Sequence, residues 1–154
     1  MLIIFKKCWN KNKKYLKETL STVKMESLDY KSLVKLTFQT IYNDSDIKKN
    51  YPYEKLNLNE ISIIDNGDYQ GTLLFVIPFD TYQPSEYEYL MTYVGYGSCS
   101  GCDTLQAITR YEGGRPSEDQ VKDLLTLCKD IVTNTIKPYN AGWRNDIIFD
   151  PVEE

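Results

Sequence analysis

The sequence predicts a single α+β domain, an antiparallel meander of about three strands flanked by N-terminal and C-terminal helices. Three observations carry this. Apolar residues recur at helical spacing near both ends of the chain. The middle third holds apolar and Tyr-rich runs separated by short Gly- or Pro-containing turns, and short connections imply antiparallel neighbours. A length of 154 residues suits one compact domain, with no repeat and no low-complexity tract to suggest more. The expected layout is a helical part over 1–50, the meander over 59–96, helices over 103–136 and an irregular tail over 137–154.

Each element has its own signal. Residues 11–25 predict a helix with Leu16, Leu20 and Val23 on one side and lysines opposite. Asp29 is the N-cap of a second, whose stripe is Tyr30, Leu33, Val34, Phe38 and Ile41 and whose end is the turn-forming "YNDSD". A loop follows, with Pro52 blocking a helix. "NEISII" is the first strand and "DNGDYQG" its turn. "TLLFVIPF" is a continuous apolar run, expected as a buried strand. "DTYQPS" turns the chain into "EYEYLMTYVGYG", a strand rich in Tyr and Val. "DTLQAITRY" is a short helix broken by "EGGRP". "SEDQVKDLLTLCKDIVTNTI" is the clearest helix. Ser117 and Gln120 form its capping box, Glu118 and Asp119 suit its positive end, and Val121, Leu124, Leu125, Cys128, Ile131 and Val132 make its stripe. Trp143, Ile147, Ile148 and Phe149 are expected to tuck the tail against the body.

Composition narrows the chemistry. Hydrophobic residues make up 42 %, enough for a real core, and the 13 tyrosines each offer an apolar ring with a polar tip. A net charge of −4 argues against a general nucleic-acid binder. The chain has no histidine, which removes the commonest general base and zinc ligand. Four cysteines, Cys8, Cys99, Cys102 and Cys128, are too few and too scattered for a secreted disulfide scaffold. The apolar start is too short for a signal peptide or a membrane span, and its positive charge follows rather than precedes it. The expected compartment is a reducing bacterial cytosol. The wealth of Lys, Asn, Ile and Tyr matches AT-rich coding, as in a low-GC bacterium or its phage.

Two odd motifs converge if the strands pair as neighbours. "GDYQG" begins the middle strand and "GSCSGCD" ends the next, so both fall on one rim of the sheet. Asp68, Tyr69 and Gln70 then lie near Gly97, Ser98, Cys99, Ser100, Gly101, Cys102 and Asp103, with Gln106 just beyond. Loops of small and polar residues at one sheet edge form the kind of place where ligands bind. The plainer reading is two tight turns, with Ser100 capping the short helix and Asp103 completing its capping box. Residues 66–110, through "GDYQGTLLFVI" and "YVGYGSCSGCDTLQAI", resemble small uncharacterised proteins of tailed bacteriophages. Those pair a D-Y-x-G turn with a G-S-C-S-G-C-D segment after a Tyr- or Trp-rich strand. The resemblance implies an origin rather than an activity.

The cysteines leave three options open. Zinc as a cofactor needs about four ligands; C-x-x-C supplies two, and no second pair exists. A redox pair gains from lying between a strand and a helix start, but Asp103 is expected to raise the thiol pKa, and the β–α–β order of thioredoxin-like folds is missing. A loop whose amides cradle a phosphate or carboxylate is the third, with Gly101 at the positive φ that a nest often needs and Tyr69 stacking on a base. The leading expectation is a cytosolic, phage-type binding protein without catalytic residues that counters a host factor. It sequesters a nucleotide-type signal, or it blocks a defence protein with an acidic, Tyr-rich surface, as many anti-CRISPR inhibitors do. Alternatives are a thiol–disulfide protein using Cys99 and Cys102 and a zinc-stabilised module. No membrane or general nucleic-acid partner is expected, and a homo-oligomer is allowed.

Overall fold

The structure, a computed structural model, describes residues 3–45, 55–99 and 101–136. Helices α1 (Ile3–Leu20) and α2 (Tyr30–Phe38) come first, followed by strands β1 (Ser62–Gly67), β2 (Gly71–Pro78) and β3 (Tyr89–Tyr96). Helices α3 (Thr104–Thr109) and α4 (Glu118–Thr133) close the described chain. The strands form one antiparallel sheet in the order β1-β2-β3, so the chain is a single α+β domain. Among the described residues no helix is long and apolar enough to cross a membrane. Ser100 and the apolar tail residues Trp143, Ile147, Ile148 and Phe149 lie outside the described residues, as does Pro52.

The first helix departs from its expected limits of 11–25. Its buried stripe is Phe5, Cys8, Trp9, Asn12, Leu16 and Leu20, a helical spacing that runs through a polar residue. It ends at Leu20 because the Ser21 and Thr22 hydroxyls turn back onto the carbonyls of Glu18 and Thr19. A short 3₁₀ turn, Met25–Ser27, leads to α2, whose cap is the expected Asp29 paired with Ser32. The helix then widens into a π turn over Gln39–Asn43. Asn12 stitches this turn to α1, its amide donating to the Ile41 carbonyl at 3.2 Å and to Ser45 Oγ at 2.9 Å. Phe5 meets Phe38 and Tyr42 edge-on, with ring centroids 5.6 and 5.7 Å apart.

The sheet buries one face. Phe75 and Ile77 of β2 and Leu90, Thr92 and Val94 of β3 point into the core, where Thr92 bonds the Ile131 carbonyl of α4. The apolar run of β2 is therefore half-covered rather than buried on both sides, since alternate residues Leu74 and Val76 are only partly shielded. The first strand also shifts. It was expected within 59–64 but spans Ser62–Gly67, so "DNG" is strand and the turn shrinks to Asp68–Gln70. Every β1 residue is exposed, which makes it an overhanging edge. On the other edge, Met91 pairs with Ile136 and Asn134 bonds the Tyr93 carbonyl. Helix α4 has the expected Ser117/Gln120 capping box, with Leu127 buried in the stripe and Leu125 at its margin. Cys8 and Cys128 both sit in the core with no exposed surface.

Candidate functional site

The strand register sets the geometry of the rim. Gly67 faces Gly71, and Gly71 faces Tyr96. The Asp68–Gln70 turn and the loop from Gly97 therefore leave the sheet at the same end. Across the row Tyr96–Gly71–Gly67 only one side chain is present, so the Tyr96 ring has room to reach the first strand, where its hydroxyl donates to Asp65 Oδ1 at 2.6 Å. That bond, with the Asp65 and Asp68 charges nearby, pushes the Tyr96 hydroxyl up to about 12. Glycine is needed at the hairpin because a Cβ on Gly67 would stand 2.2 Å from the Gln70 carbonyl oxygen. Asp68, Tyr69 and Gln70 are all exposed, Tyr69 to 82 %.

The Gly97–Asp103 loop closes on itself. The Cys102 and Asp103 amides donate to the Cys99 carbonyl at 3.0 and 2.8 Å, and the Gly97 amide donates to Asp103 Oδ2 at 2.9 Å. The Cys99 amide donates to Cys102 Sγ at 3.1 Å. Four of the amides expected to cradle an external anion are thus engaged within the loop, and one of their acceptors is the Cys102 sulfur. The two Sγ atoms stand 2.9 Å apart, both residues exposed and unbridged. Ser98 Oγ lies 3.7 Å from Cys102 Sγ. Hydrogen bonding from the Cys99 thiol first, then from Ser98, holds the Cys102 thiol below its ordinary value.

Asp103 is placed otherwise than expected. Its carboxylate is not turned to the thiols, and it contributes nothing to the shift of Cys102. It is 3 % exposed and faces inward. Asp103 Oδ1 accepts the Gln106 amide and the Tyr30 hydroxyl, each at 2.9 Å, and Tyr30 in turn accepts the Leu105 amide at 3.2 Å. So Asp103 itself is the N-cap of α3, the place given to Ser100 from sequence, and it ties the loop to α2. Burial is the main cause of the Tyr30 hydroxyl rising to about 12.

Two further expectations change. Gly101 has no positive φ, and a Cβ there would meet only Cys99 Sγ at 3.9 Å. The demanding glycine is Gly97, where a Cβ would stand 2.3 Å from the Cys102 carbonyl oxygen. Gln106 turns from the rim, its side-chain oxygen accepting the Tyr111 hydroxyl, and it lines a separate cleft of about 370 Å³ with Glu26, Tyr30 and Glu112. A larger cleft of about 480 Å³ lies between α2 and residues 55–59, lined by Lys35, Gln39, Lys55 and Asn57. Nothing in that plain polar stretch of sequence signals it.

Among the described residues no group of three or more Cys, Asp or Glu side chains converges as a metal site. Cys8 and Cys128 lie in the core, where burial pushes each thiol up to about 12. In comparison with known proteins, no family model, no curated protein and no solved structure matches this chain.

Proposed function

We propose that the protein is a thiol–disulfide exchange module working through Cys102 and Cys99. One observation carries the reading. Cys102 Sγ accepts the Cys99 amide on an exposed rim, with the Cys99 sulfur 2.9 Å away. Hydrogen bonding from Cys99 and Ser98 holds the Cys102 thiol below its ordinary value, which favours the thiolate, and a second thiol within reach resolves the product. In the reaction, the Cys102 thiolate attacks one sulfur of a substrate disulfide. The substrate S–S bond breaks, and its second sulfur leaves as a thiolate that takes a proton from water. Cys99 then loses its proton to solvent and attacks the mixed disulfide. A Cys99–Cys102 disulfide forms, and the substrate leaves as a dithiol, reduced by two electrons. The reducing bacterial cytosol expected from composition keeps such a pair in its starting state.

The second reading is the phage-type binding protein that counters a host factor. It is favoured by the exposure of Tyr69 beside Asp68 at the turn tip, and by Tyr15, Tyr82, Tyr93 and Tyr111 on the exterior. Tyr69 would stack on a nucleotide-type signal, or the acidic, Tyr-rich exterior would occupy a defence protein. Phage plating on a defended host, with Cys99→Ser, Cys102→Ser and Tyr69→Ala, separates the two. Exchange chemistry predicts loss of activity in both cysteine variants and near-normal activity in Tyr69→Ala. Binding predicts the reverse order, with Tyr69→Ala weakened by about 1 to 3 kcal/mol.

A further inference from the structure

We infer that Cys99 and Cys102 form a two-coordinate site for a soft monovalent d¹⁰ cation, of which copper(I) is the physiological representative. The inference goes beyond the exchange reading and needs only that both thiols be reduced and accessible. The donor inventory at the rim carries it. Two sulfurs lie 2.9 Å apart, both on exposed residues. Among the described residues every other soft or borderline donor is missing or engaged elsewhere. The chain has no histidine at all. Cys8 and Cys128 are sealed in the core. Met25 is buried beside the Gly114 turn, and Met91 pairs with Val76 and Ile136, five positions back along β3 from Tyr96.

No carboxylate joins the two sulfurs in a group of three among the described residues, and Asp103, next to Cys102 in the chain, has both oxygens engaged by Gly97, Gln106 and Tyr30. Ser98 offers only a neutral hydroxyl at 3.7 Å from Cys102 Sγ. Magnesium and calcium require six or more oxygen ligands, and zinc requires about four donors. Thiolates select copper(I), and two sulfurs satisfy a d¹⁰ monovalent ion in near-linear geometry. That geometry needs the sulfurs further apart than 2.9 Å. Both cysteines are exposed and outside the packed core, so an outward turn of their side chains breaks no core contact. Binding is a plain exchange: one cation enters, two thiol protons pass to the buffer, and no electron moves.

The test is anaerobic titration of the reduced full chain with copper(I) in competition with a chromophoric copper(I) chelator, followed by native mass spectrometry and X-ray absorption. One copper(I) per chain with two sulfur neighbours is expected. Cys99→Ser and Cys102→Ser, each confirmed folded by circular dichroism, should lose it. Retention of copper in either variant, a coordination number of three or four, or zinc bound in preference to copper(I) overturns the inference. Exchange with oxidised glutathione is measured on the same samples. Copper binding without exchange removes the proposed function and leaves this site standing. Exchange without copper binding does the opposite.

Discussion

Gly97 and Gly101 sit four positions apart in one loop and answer to different constraints. A Cβ at Gly97 would press on backbone, 2.3 Å from the Cys102 carbonyl oxygen and 2.8 Å from its sulfur, while one at Gly101 has space. Gly97→Ala should therefore destabilise the protein by about 1 to 3 kcal/mol and slow the alkylation of Cys102 by disturbing its cradle. Gly101→Ala should leave both unchanged; urea denaturation and mass-spectrometric alkylation kinetics check the pair. The two glycines look alike in sequence, because close approach of backbone is a long-range property that residue type does not encode. The same holds for Asp103. Its carboxylate adjoins Cys102 in the chain, yet its partners include a hydroxyl 73 residues away. With that charge turned inward, the Cys102 thiol is lowered rather than raised. A lowered pKa means that thiolate persists to lower pH. As pH falls from about 9, Cys102 should keep its rate with iodoacetamide longer than a cysteine in an unstructured peptide does. Equal pH profiles would remove the special character of this sulfur.

At the scale of elements, types were legible and limits were not. Helix α4 matched its signals because they were local: a capping box at its start and an uninterrupted apolar stripe. Helix α1 begins eight residues before its expected start because Asn12 interrupts the apolar pattern at a buried position. That asparagine is explained by what it meets: the Ile41 carbonyl within the π turn over Gln39–Asn43 and Ser45 Oγ just after it, while it also bonds Cys8 O at 3.0 Å. Asn12→Ala should lower stability by about 1 to 3 kcal/mol, since it leaves a buried carbonyl without this donor. A loss below half a kcal/mol in urea unfolding would mean that the π turn does not depend on it. The β1 limits moved for a related reason. Asn66 and Gly67 carry turn chemistry, yet they pair with Thr72 and Gly71 because the hairpin closes on glycine against glycine.

For the whole molecule, the α+β class followed from helical periodicity at both ends and turn-punctuated runs between them, and it holds. The rim was legible as a place, because antiparallel order alone brings the two motifs to one end of the sheet. Its internal wiring was not, because the sequence shows neither which amides are engaged nor where Asp103 turns. The core sets a pH limit. Cys8 and Cys128 ordinarily ionise near 9.0 and are pushed up to about 12, and Tyr30 rises from 10.0 to about 12. Between those values the unfolded chain has lost these protons while the folded chain retains them, so the unfolded state gains. The contribution of these three groups should be level up to about pH 9 and then fall continuously toward about pH 12, measured as a drop in urea midpoint above pH 9. Tyr30 also has a temporal consequence. Its hydroxyl meets Asp103 and the Leu105 amide, 73 and 75 residues downstream. On a ribosome the N-terminal helices emerge first and wait for the loop that they will anchor. In a nascent chain the loop therefore stays untied from α2 until residues 103–105 have emerged, and its anchoring is among the last steps of folding.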